Sequence, residues 1–160
     1  MKKLTLALAI SLIAVQPCVA SSTMTITHDN GGSIYEYRKR ISEFIKQGGT
    51  NVRIDGRCVS ACLYWIHSDF NLRTCATPRA VLGFHKPYSI WEDTREVAWT
   101  AGTLMRSEWD MHDQLRGFPP YLKQKWGNAT HIPSVYDGDS KNDFLYVRGR
   151  EAQRAIGACK

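Results

Sequence analysis

The chain has 160 residues, with 21 Lys and Arg against 15 Asp and Glu and a formal net charge of +6. That length suits one compact domain with a core of its own and leaves no room for a multidomain assembly. The basic excess is modest and scattered. No dense Lys/Arg run points to nucleic acid, and Arg38-Lys39-Arg40 reads as a solvated helix face.

Residues 1–20 have the pattern of a secretory signal peptide: basic Lys2-Lys3, an apolar run from Leu4 to Val15, and small residues at Cys18-Val19-Ala20. The apolar run is short for a membrane span, which needs about 20 residues. Pro17 before Cys18 argues against lipidation. Cleavage after Ala20 would leave a mature domain over residues 21–160 in the periplasm or outside the cell. Its net charge would be +4, the chain's +6 less the two leader lysines.

Thr23 to Thr27 alternates like a short strand, ended by the turn His28-Asp29-Asn30-Gly31-Gly32. Ser33 with Glu36 three residues on predicts a helix start. Ile34, Tyr37, Ile41, Phe44 and Ile45 share its apolar face, and Gly48-Gly49 stops it. Asn51 to Ile54 is a predicted strand, with Asp55-Gly56 turning the chain towards Ser60. Ala61 to Ile66, apolar all round, predicts a buried helix, and Ala80 to Phe84 a strand that delivers His85. Glu92 to Arg116 has a long helical pattern, Pro120 opens a short helix to Trp126, Phe144 to Val147 is a last strand and Glu151 to Ile156 a closing helix. Strands alternating with helices argue for α/β layers. Trp65, Trp99 and Trp109 fall within helical patterns as core or interface aromatics.

Four cysteines follow the leader: Cys58, Cys62, Cys75 and Cys159. An even count in an exported chain predicts two disulfides. Of three pairings, Cys62–Cys75 with Cys58–Cys159 is favoured, because both bridges would then brace the turn around Ser60. Cys-x₃-Cys without a matching pair is poor zinc spacing, and His67, His112 and His131 are not spaced as ligands, so no metal is expected.

Cys58-Val59-Ser60-Ala61-Cys62 places a serine between a strand and a helix, Gly83-Phe84-His85-Lys86-Pro87 offers a base, and Gly31-Gly32 a close backbone turn. Serine needs a base to take its proton, and acyl transfer needs N–H groups to hold the oxyanion. Ala61, following the serine, and Gly32 are the candidate donors.

From Asp29 to Pro87 the chain resembles the core of the Clp protease proteolytic subunit, in the crotonase-like superfamily, and small exported bacterial proteins of that group. Asn30-Gly31-Gly32 resembles the Pro-Gly-Gly oxyanion turn, with Asn in place of Pro. Val59-Ser60-Ala61 resembles the Ala-Ser-Met nucleophile turn. Arg79 to Pro87 resembles the strand ending in Ile-His-Gln-Pro, at the same 25-residue separation from the serine. The resemblance implies an α/β crotonase-like single domain, smaller than a full Clp subunit, with Ser60 as nucleophile, His85 as base, and Gly32 and Ala61 as oxyanion donors. For the third member it offers Asn142 in register, Asp143 one place later, or Asp139; Asp143 is preferred because a carboxylate holds the imidazolium best.

The function expected is an exported, ATP-independent serine hydrolase acting on a peptide or other acyl substrate. No cofactor, nucleic acid or ATPase partner is expected, and the long helix from Glu92 could build a homo-oligomer. The alternative is a non-catalytic binding or structural protein on the same fold.

Overall fold

The computed structural model describes residues 22–160; the predicted signal peptide lies outside the described residues. The fold is mixed α/β, built on a five-stranded mixed sheet. Strand β1 (Ser22–Asp29) leads to helix α1 (Ile34–Lys46), and β2 (Gly49–Val59) runs parallel to β1. A buried 3₁₀ helix follows over Ser60–Ile66, then β3 (Arg73–Ala76) and β4 (Val81–Phe84), both parallel to β2. Helices α2 (Ala101–Gly117) and α3 (Pro120–Gly127), strand β5 (Leu145–Arg148) and helix α4 (Arg150–Ile156) complete the chain. β5 is antiparallel to β4 and closes that side of the sheet.

The central strand is longer than its sequence suggests. Asp55-Gly56 does not turn the chain; the register between β1 and β2 shifts there, as a bulge accommodated by glycine. A Cβ at Gly56 would lie 1.9 Å from the Thr27 carbonyl oxygen. β2 therefore runs unbroken to Val59 and delivers Ser60 at its end. β3 and β4 share one edge of β2, β3 pairing with Asn51–Ile54 and β4 with Arg57–Val59.

One sheet face is dry. Ile26, Val52, Ile54, Leu82, Phe84 and Val147 are buried, as is every residue from Ala61 to Ile66. Tyr37 and Ile41 bring α1 onto this core, and α3 covers β4 by stacking Trp126 on Phe84 at 5.2 Å. The opposite face carries Thr25, Arg53, Arg57, Val81, Tyr146 and Arg148, because residues in register across strands share a side.

Helix α1 begins where Ser33 predicts, its Oγ accepting the Glu36 N–H at 3.4 Å. Helix α2 starts later than its pattern, at Ala101. Thr100 caps it reciprocally with Thr103, while Ile90 to Val97 folds back on itself through an isolated bridge. Of the tryptophans read from sequence as core or interface aromatics, Trp65 is buried; Trp99 and Trp109 stand out from the surface at 59% and 73% exposure.

The disulfides are Cys58–Cys62 and Cys75–Cys159, not the pairing favoured from sequence. Cys75 belongs to β3, beside the lower half of β2 and away from the Ser60 turn. The C-terminal segment reaches β3 instead, through an Ala76–Ala158 bridge and the Cys159 N–H donating to the Ala76 carbonyl at 3.0 Å. Cys58 is left to pair with Cys62, across Ser60. Two disulfides are compatible with an oxidising compartment, and no helix among the described residues is long and apolar enough to cross a membrane.

Candidate active site

Parallel pairing puts the pieces at one corner. Asp29 lies in register with Cys58, so the two residues that follow Asp29 and the two that follow Cys58 leave the sheet side by side. Gly31 (φ +79°) is packed so tightly there that a Cβ would stand 2.7 Å from both the Ser60 Cβ and the Val59 carbonyl oxygen, and 2.9 Å from the Ala61 nitrogen. Its N–H donates to the Asp29 carboxylate at 2.9 Å, which also accepts the Tyr37 hydroxyl. That contact and burial raise the Tyr37 pKa, burial being the larger cause. The Gly32 N–H has no hydrogen-bond partner among the described residues.

Ser60 has φ +57°, a left-handed conformation that a serine seldom adopts. Such backbone strain persists where the surroundings impose it, and here Gly31, the Cys58–Cys62 bridge and the buried 3₁₀ helix all do. The result is a sharp strand-to-helix turn at a half-buried serine. The parallel register Val59–Gly83 brings the end of β4 beside it, and His85 Nε2 lies 2.7 Å from Ser60 Oγ.

His85 is 4% exposed, and burial depresses its pKa to about 4, so the imidazole is neutral near pH 7; in the tautomer protonated on Nδ1, its Nε2 accepts the Ser60 hydroxyl. Phe144 packs on its ring at 4.7 Å and Tyr88 meets it edge-on at 5.5 Å. Among the described residues no carboxylate hydrogen-bonds to His85.

Asp143, the preferred third member, is not brought to it. Phe84 pairs with Leu145, so the residue facing His85 is Phe144, and Asp143 alternates to the other side. Its carboxylate is exposed and accepts the Ser140 N–H at 2.9 Å within its own turn. Asp139 accepts the Ser134 N–H and pairs with His131, both at 2.8 Å, and the Asn142 N–H donates to Ser140 Oγ. Lys86 points away from the pair, onto Glu108. The His85 orientation therefore rests on aromatic packing, a role for Phe144 and Tyr88 that no spacing in the sequence signals.

Asn30 joins the corner to the outer sheet face, accepting from Arg57 Nε at 2.8 Å. His67, Asp69 and Asp113 bring three ligating atoms within 4.8 Å of one another. Arg38 and Arg116 already pair with both carboxylates, so this is an ion-pair network beside α2.

No protein-family model matches the chain, and no curated protein matches its sequence.

Proposed function

We propose that the chain is an exported, ATP-independent serine hydrolase on a crotonase-like, Clp peptidase-like domain, with peptides as the favoured acyl substrates. The 2.7 Å contact between Ser60 Oγ and His85 Nε2 carries this reading, and the left-handed Ser60 backbone supports it. The leader pattern and two disulfides support export.

In this mechanism His85 Nε2 takes the Ser60 proton as Oγ attacks the acyl carbon. The Gly32 and Ala61 N–H groups stabilise the oxyanion. The imidazolium then gives its proton to the leaving amine, and the C–N bond breaks. Water, deprotonated by His85, attacks the acyl-enzyme, and the carboxylic acid leaves as Ser60 regains its proton. The imidazolium forms in a buried place with no carboxylate against it, so turnover is slower than in a full Ser-His-Asp site.

A fluorophosphonate probe tests the reading. Ser60 of the oxidised protein is expected to be labelled, Ser60→Ala to remove labelling, and His85→Gln to slow it by about 100-fold or more. The labelling rate should rise through about pH 4, where His85 loses its proton, and hold level to neutrality. Stability follows the same group. The unfolded imidazole binds its proton near pH 6.5 and the folded one near 4, so the unfolded state holds more protons between them. Wild-type stability should fall as pH drops from about 6.5 to about 4, with a shallower fall in His85→Gln. A wild type labelled no faster than Ser60→Ala would sink the hydrolase.

The second reading, a non-catalytic binding or structural protein, is favoured by the buried, weakly basic His85 without a carboxylate. It predicts no Ser60 labelling and an intact fold.

Self-association belongs to the proposal as well. Leu104, Met105 and Trp109 of α2 are exposed at 42%, 64% and 73%, and a depression of about 410 Å³ opens beside Met105, Glu108, Trp109 and His112. A second copy is the proposed cover, because an apolar stripe of this kind is costly in water. Light scattering should find an oligomer that Trp109→Glu dissociates; a wild-type protein that stays monomeric at about 100 µM would refute it.

A further inference from the structure

We infer that Arg57 and Arg148 form an anion-binding subsite beside Ser60 and His85 that takes a carboxylate of the acyl substrate. This rests on the hydrolase reading and narrows its substrate class.

The two arginines are 91 residues apart in sequence (148 less 57) and meet through the sheet. Arg57 on β2 pairs with Val81 on β4, and Val81 pairs with Arg148 on β5, so all three project from the outer face in one row. Both guanidiniums lie over the Tyr146 ring, their central carbons 5.8 Å and 4.3 Å from its centre. Arg57 also sits 5.3 Å over Phe144, whose ring packs on His85. One aromatic side chain thus separates this charge from the base.

The two cations share one aromatic ring on the outer face, and an anion bound there would be attracted by both. Neither arginine is ion-paired among the described residues, and the nearby carboxylates are engaged elsewhere. Asp55 is held to about 2 by Arg79 and Thr77, Asp29 accepts from Gly31 and Tyr37, and Asp143 caps its own turn. Arg57 is nevertheless aimed. Its Nε donates to Asn30 Oδ1 at 2.8 Å and its Nη1 to the Tyr146 hydroxyl at 3.2 Å, which fixes the guanidinium and leaves Nη2 unbonded. Asn30 is itself held, its Nδ2 donating to His28 Nε2 at 3.2 Å. A planar cation held in one orientation, with a free edge and a second guanidinium over the same Tyr146 ring, matches a carboxylate. An acidic peptide side chain or a free C-terminal carboxylate would reach it while the acyl carbon lies at Ser60.

Two fluorophosphonates that differ only in a terminal carboxylate or carboxamide provide the test. The carboxylate probe is expected to label wild-type Ser60 about tenfold faster, the preference shrinking as salt is raised. In Arg57→Gln/Arg148→Gln the ratio of the two rates should fall to about one, and Arg57→Lys should recover part of it. Arg148→Gln alone leaves the Arg57–Asn30 contact in place and should still reduce the ratio. An undiminished ratio in the double variant would overturn the subsite. If neither probe labels Ser60, the hydrolase reading fails, and binding decides the inference separately. N-acetyl-dialanine, titrated into Ser60→Ala, is expected to shift the Tyr146 and Phe144 ring resonances saturably, and its amide to shift neither. No shift with the carboxylate, or shifts with inorganic phosphate alone, would overturn the inference.

Discussion

Gly31→Ala is expected to slow Ser60 labelling by about 100-fold or more and to lower the unfolding free energy by about 2–6 kcal/mol, the sum of a left-handed backbone and an overpacked contact. The added methyl would have to occupy space 2.7 Å from the Ser60 Cβ and 2.7 Å from the Val59 carbonyl oxygen, at φ +79°. Neither neighbour is a flexible side-chain end; both belong to the turn that presents the nucleophile. Relief would come by pushing the glycine turn away from Ser60, and a displacement of about 1 Å suffices to lose about 100-fold in rate. Gly32 provides the internal comparison, since a Cβ there meets nothing closer than Tyr37 Cε2 at 3.9 Å. Gly32 itself has φ +158°, so Gly32→Ala should lose some stability through the backbone alone, but less than Gly31→Ala, which adds the overpacked contact. Urea titrations and labelling rates of the two variants check this. A Gly31→Ala protein with wild-type midpoint and rate would mean that the close approach at this corner is not required.

The elements that sequence showed clearly are those whose signal is local. Helix α1 has its cap, its apolar face and its Gly48-Gly49 stop within seventeen residues, counted from Ser33 to Gly49, and forms as expected. Ser60 and His85 were legible because a serine before an apolar run and a histidine after a strand both sit at strand ends, and parallel strands end at the same level. What was hidden depends on pairing between distant segments. Asp55-Gly56 has turn chemistry, yet the neighbouring Thr27 backbone makes it a bulge. Arg73–Ala76 has neither alternation nor length enough to announce a strand, and forms because the edge of β2 is available.

The third site residue shows the same limit more sharply. Asn142, Asp143 and Phe144 are consecutive, so a one-residue change in the register of β5 decides which of them faces His85. Only the observed pairing of Phe84 with Leu145 selects Phe144. A sequence with carboxylates at 139 and 143 gives no hint that both will be consumed by their own loop. The arginine pair on the outer face was equally invisible, since Arg57 and Arg148 are neighbours only across two strand pairings.

Cys75→Ser with Cys159→Ser is expected to cost about 4–5 kcal/mol of stability. The bridge spans a sequence separation of 84, and the unfolded chain gains that much entropy when so long a loop is released. In a domain whose total is about 5–15 kcal/mol, such a loss approaches unfolding at physiological temperature. The bridge also ties the C-terminal segment to β3, which among the described residues has β2 as its one strand partner, so β3 and α4 should lose hydrogen-exchange protection first. Cys58→Ser with Cys62→Ser should behave in the opposite way. Its separation is 4, so loop entropy contributes about 2 kcal/mol, but the bridge spans Ser60 itself. Freed of it, the serine can relax from φ +57° towards an ordinary backbone and draw away from His85. Thermal melts should thus rank the long bridge first, while labelling rates measured on the folded population should rank the short one first. Equal effects of both pairs on both measurements would mean that the short bridge does not hold the Ser60 turn.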